Sequence, residues 1–104
     1  MAPPAFIADH QAQLAELCGR SHARSLHLFG SAARGEFRVA DSDLDFLVEF
    51  EELAPAAYSQ AFFSLREGLE KMFGRPVDLL TADALRNPYL RQRVEDEQMA
   101  LYVA

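Results

Sequence analysis

The apolar and polar positions of this chain switch between a period of two and a period of three to four, and each switch marks an element. Phe6, Ile7, His10, Leu14, Leu17 and Cys18 recur at helical spacing, which predicts one amphipathic helix from about Ala5 to Cys18, ended by Gly19. Arg20 to Arg24 reads as a polar connection, and Ser25 to Phe29 as a first strand that contains the apolar run Leu26 to Phe29. Leu44 to Phe50 alternates strictly, so Leu44, Phe46, Val48 and Phe50 share one face of a strand while Asp43, Asp45, Leu47 and Glu49 share the other. After the break Glu51 to Pro55, a long helix is predicted from about Ala56 to Phe73. Its apolar stripe of Tyr58, Phe62, Leu65, Leu69 and Met72 steps by four, three, four and three.

Gly74 stands where a helix C′ residue belongs, and Pro76 prevents continuation. Val77 to Thr81 then reads as a third strand, with Val77 and Leu79 on one face and Asp78 and Leu80 on the other. Thr81-Ala82-Asp83 opens a short helical turn, and Asn87-Pro88 supplies an N-cap and a first-position proline for a last helix whose buried side is Leu90 and Val94. Met99 to Val103 completes the pattern as an edge strand. The whole predicts one α+β domain over residues 1–104. Its mixed sheet has three or four strands, with Asp43, Asp45 and Asp78 converging at one end and the helices mainly on the opposite face.

Carboxylates on such strands raise a chemical question, because an unpaired buried carboxylate costs several kcal/mol unless a cation compensates it. An oxygen-only set with no Cys or His at ligand spacing favours a hard divalent ion such as magnesium, which binds one or two carboxylates together with substrate phosphates. A place for phosphates lies just upstream. Gly30 lets the backbone turn tightly after the first strand, and Ser31 caps the short turn Ala32-Ala33-Arg34, leaving outward-pointing backbone N–H groups.

Gly30-Ser31, Ala33-Arg34-Gly35, Ser42-Asp43-Leu44-Asp45 with Phe46-Leu47-Val48, and Asp78 within Val77-Asp78-Leu79-Leu80 together resemble the signature of the minimal nucleotidyltransferases of the polymerase-β superfamily. Asn87-Pro88-Tyr89 is similar to the family's tail, so the resemblance covers most of the chain from Leu26 onward. Eleven residues, Ala32 to Ser42, separate Ser31 from Asp43, one more than the family's usual spacing, and the extra residue falls in the loop from Phe37 to Asp41.

The resemblance implies a polymerase-β-like fold and transfer of a nucleotide from ATP with two magnesium ions. Asp43, Asp45 and Asp78 would be the metal-binding and catalytic carboxylates, with Asp78 accepting the proton of the attacking hydroxyl. Gly30 and Ser31 would hold the outer phosphates, and Arg34 would neutralise them or the leaving pyrophosphate. It further implies a toxin–antitoxin role, in which such a domain transfers AMP to a tyrosine of a HEPN-class ribonuclease toxin, within a homo- or hetero-oligomer.

Composition narrows the alternatives. A net charge of −6 and a pI near 4.9 argue against a long nucleic-acid track, and Arg86, Arg91 and Arg93, followed by Glu95, Asp96 and Glu97, read as a solvated helix face. The single cysteine, Cys18, precludes an internal disulfide and fits a reducing compartment. Without a signal peptide or a run long enough to span a membrane, a cytoplasmic protein is expected. His22 and His27 lack partners at ligand spacing and read as structural or surface residues. Taken singly, each site residue also has an ordinary explanation: Asp43 as a strand-edge carboxylate, Arg34 as its ion-pair partner, Gly30-Ser31 as a helix cap. A binding module that neutralises a partner by contact alone is the alternative from a different class. A metal-dependent nuclease would use similar carboxylates without needing the Gly-Ser cradle.

Overall fold

The computed structural model describes residues 4–30, 33 and 43–104. Helices α1 (Ala5–Ala8) and α2 (Gln11–Arg20) lead into strand β1 (Ala23–Phe29), followed by β2 (Leu44–Phe50), helix α3 (Pro55–Phe73), β3 (Val77–Thr81), a short 3-10 helix (Ala82–Arg86), α4 (Pro88–Glu97) and β4 (Met99–Val103). The four strands form one sheet in the order β3-β2-β1-β4. β1 runs antiparallel to both β2 and β4, whereas β2 and β3 are parallel, so the sheet is mixed. A parallel pair cannot be joined by a hairpin and needs a long crossover. The 19-residue α3 is that crossover.

The alternating pattern of β2 decides which face is which. Leu44, Phe46, Val48 and Phe50 join Leu26, Leu28, Val77 and Leu79 in the main core, against Ile7, Leu14, Leu17 and Cys18 of the first two helices and Ala61, Leu65 and Leu69 of α3. Phe73 stitches these layers together: its ring stacks on Phe46 at 6.2 Å and meets Phe6 and His10 edge-on at 6.0 and 5.4 Å. α3 ends as its sequence predicts. Gly74 takes the left-handed conformation at φ 64° and returns its N–H to the Glu70 carbonyl at 2.8 Å. In α4, Asn87 Oδ1 accepts from the backbone N–H of Tyr89 and Leu90 at 3.0 and 3.3 Å. Among the described residues no helix is long and apolar enough to cross a membrane.

Three expectations are corrected. The single helix from Ala5 to Cys18 is two helices, because the backbone leaves the helical path at Asp9-His10, where His10 Nδ1 bonds the Phe6 carbonyl at 2.8 Å. Gly19 does not end α2. The helix runs through it to Arg20, and the left-handed position after it is taken by His22 at φ 59°. The first strand starts two residues early, at Ala23, so the connection is short. The carboxylate face also carries packed elements. Phe29, Leu47 and Val94 form a second apolar cluster with Leu80, Leu85 and Leu90, which seats α4 and the 3-10 helix on that side.

The α3 stripe yields a direct test. Leu65 is fully buried, while its near neighbour Phe63 is 58 % exposed. Leu65→Ala is expected to cost about 2–5 kcal/mol through lost transfer energy and a residual cavity, and Phe63→Ala to stay within about 0.5 kcal/mol, as read by equilibrium unfolding in urea.

Candidate active site

The parallel pairing of β2 with β3 sets Asp45 directly beside Asp78. Adjacent strands lie about 4.8 Å apart, so the two side chains leave the same face as immediate neighbours. Asp43 sits one step before β2, exposed, on the same side as Asp45. The three carboxylates predicted from sequence are therefore brought together at one end of the sheet.

The opposite flank of Asp45 is closed by Gly30. β1 pairs Phe29 with Asp45, and the chain then turns at Gly30 with φ 77°. A Cβ built on Gly30 would overlap Oδ2 of Asp45 and lie 3.1 Å from its Cγ. Only glycine allows both the left-handed turn and this approach. Ser31 and Arg34, the other two predicted phosphate-binding residues, lie outside the described residues.

Asp45 is partly buried, and its carboxyl is held above the ordinary carboxylate range. Burial is the largest cause, followed by the negative charge of Asp78; Arg93 opposes the shift, and Asp43 and Glu97 add to it. A carboxylate desolvated and crowded by like charge favours whatever cation relieves it. Among the described residues no three His, Cys, Asp or Glu side chains close around a metal ion. The pair Asp45 and Asp78, with Asp43 beside it, matches the more open requirement of magnesium, which retains waters and draws its remaining oxygens from substrate phosphates. The cramped glycine cradle and the strained charge of Asp45 fit that ion.

Two residues at this end were not singled out by sequence. Helix α4 descends on the carboxylate face so that Glu97 Oε2 accepts the Gly30 backbone N–H at 3.1 Å, and Arg93 Nη2 approaches the same carboxylate at 3.9 Å. Arg86, Arg91 and Arg93 each pair with an acid three or four residues away, as a solvated helix face would. Only Arg93 also acts on Asp45. The spacing of Arg93 and Glu97 was visible, but nothing in the sequence tells which turn the pair would face. His27 is half-buried away from this end, opposite Leu47, with its pKa lowered by burial against the pull of Glu49. Cys18 is fully buried and its thiol is pushed up to about 11. A cavity of about 450 Å³ between α2 and α3, lined by Arg20, Ser21 and Lys71, contains none of these acids.

Asp45→Asn is therefore expected to raise the melting temperature of the metal-free protein by a few degrees at neutral pH. The sign follows from the raised pKa. Below the ordinary value of 3.8 the parent carboxyl is neutral in folded and unfolded chains alike, and above its raised folded value the folded state carries the full penalty. The variant's advantage should thus grow as pH rises from about 4 toward neutrality, measured by thermal melts in chelator. Gly30→Ala should melt lower at every pH.

Comparison with known proteins identifies the family. The chain is 38 % identical over 82 residues to the protein adenylyltransferase MntA of Thermococcus cleftensis, covering 79 % of this chain and 76 % of that protein. A solved structure described as a minimal nucleotidyltransferase superposes with a TM-score of 0.71 at 37 % identity, over 89 % of this chain and 90 % of the other. The fold is shared, at 24 % identity and a TM-score of 0.62 over 90 % of this chain and 73 % of the other, with a chain from a crystal structure of a toxin–antitoxin with AMP-PNP. Residues 12–101, which carry the paired strand carboxylates and the glycine turn, match the nucleotidyltransferase domain model, and the chain belongs to that family.

Proposed function

We propose that this chain transfers AMP from ATP to a tyrosine hydroxyl of a cognate toxin, with magnesium at Asp43, Asp45 and Asp78. The observation that carries the reading is the side-by-side register of Asp45 and Asp78 with Gly30 packed onto Asp45. It gathers paired carboxylates and the start of a glycine turn at one sheet end. The relative named protein adenylyltransferase MntA supports a protein acceptor, and the toxin–antitoxin with AMP-PNP, which shares the fold, agrees with an ATP-like donor and a toxin partner. A HEPN-class ribonuclease is the partner that the sequence resemblance implies.

In this reading the tyrosine oxygen attacks the α-phosphorus of ATP, the bond from that phosphorus to the bridging oxygen breaks, and pyrophosphate leaves. Bound magnesium would supply charge neutralisation of the phosphates and a lowered pKa for the attacking hydroxyl. The remaining work belongs to the chain. Asp78, which is exposed, would take the phenolic proton. Ser31 and the turn that begins at Gly30 would orient the outer phosphates, and Arg34 would balance the departing pyrophosphate. A phenol, with a pKa of about 10, gives up its proton more readily than a serine hydroxyl does. The net charge of −6 disfavours a nucleic-acid acceptor.

ATP labelled at the α-phosphate, incubated with magnesium, this protein and the toxin encoded beside it, should leave label covalently on the toxin. Asp45→Asn or Asp43→Ala should cut the rate by about 100-fold or more, and chelator should abolish it. Neutralisation of the toxin without covalent label would replace this reading by inhibition through contact alone.

A further inference from the structure

We infer that Glu97 is the positioning residue of the phosphate-binding turn. It acts through the Gly30 amide rather than on substrate, and the kinetic part of the inference rests on the nucleotidyl-transfer reading above. Gly30 is followed at once by Ser31, and its position is set on one side by the Asp45 carboxylate. On its other side, among the described residues, it is held by a long-range hydrogen bond: the Gly30 N–H donates to Glu97 Oε2 at 3.1 Å, across 67 residues of sequence. The Glu97 side chain is only 16 % exposed, so the bond is shielded from competing water and is of the stronger, charge-assisted kind.

The neighbouring ion pair is the weaker partner. Arg93 Nη2 lies at 3.9 Å from the same carboxylate and its side chain is 54 % exposed, a geometry that adds little by itself. Its value is placement. With Glu97 fixed, the guanidinium stays where it offsets part of the negative charge around Asp45. Val94, 2 % exposed and clustered with Phe29 and Leu47, holds α4 in register for both contacts. Because the bond is made to the turn proposed to seat the outer phosphates, its effect falls on how the donor nucleotide is held.

The prediction separates the hydrogen bond from the charge. Glu97→Ala removes the acceptor and should raise KM for ATP at least 10-fold with a smaller fall in kcat, because the misplaced turn still surrounds the same carboxylates. Glu97→Gln keeps an acceptor oxygen at that point and should retain KM within about threefold of the parent. Amide hydrogen exchange gives a readout independent of catalysis: the Gly30 N–H should be protected in the parent and in Glu97→Gln, and lose at least 10-fold of that protection in Glu97→Ala. Unchanged Gly30 protection in Glu97→Ala would overturn the inference, as would a Glu97→Gln protein that folds but behaves like Glu97→Ala. If the parent labels no acceptor at all, the nucleotidyl-transfer reading fails while the exchange measurement still decides the role of Glu97.

Discussion

Where β1 ends against β2, the backbone pairing of Phe29 with Asp45 leaves Gly30 no room for a side chain, because the space a Cβ needs is filled by the Asp45 carboxylate. The acidic end of the sheet depends on that contact. It fixes where the turn after β1 begins and holds Asp45 at the sheet end rather than further into solvent. The carboxylate's charge is then confined between a backbone turn and Asp78. Arg93 offsets part of that charge, and a cation bound there would relieve more of it and link binding to folding.

The two faces of the sheet divide the labour. One carries a continuous core of large aliphatic and aromatic side chains under three helices, tied by Phe73. Among the described residues the other carries the smaller cluster around Phe29, Leu47 and Val94, which seats α4 and the 3-10 helix. Stability is concentrated on the first face, which lets the second carry mutually repelling carboxylates. Such a division fits a domain of this size, whose single core must offset the cost of the strained end.

Much of this was legible in the sequence because the decisive signals were local. Strict alternation over Leu44 to Phe50 placed Asp45 on the face away from the core, and the interrupted run Val77 to Thr81 placed Asp78 likewise. Gly74 and Asn87 announced the helix ends they make. What escaped was of two kinds. The break at His10 and the passage of α2 through Gly19 were set by one side-chain hydrogen bond and by a histidine accepting the left-handed conformation, neither of which follows from periodicity. The role of Glu97 and the aim of Arg93 depend on the direction in which α4 crosses the sheet. That direction is decided by Val94 and Leu90 meeting Phe29 and Leu47, partners distant in sequence.

The crossover through α3 has a kinetic corollary. Asp78 comes 33 residues after Asp45, and the contact between Glu97 and Gly30 spans 67, so no short segment of the chain contains the site. Loop closure grows only slowly in cost with length, by about 0.6 kcal/mol per doubling, yet it has to be met before any of these contacts repays it. A partly folded chain with β1 and β2 already paired would hold Asp45 against Gly30 and lack both Asp78 and the α4 anchor. The complete carboxylate cluster should therefore emerge late on the folding path, with the docking of the parallel strand, and vanish early when that strand lets go.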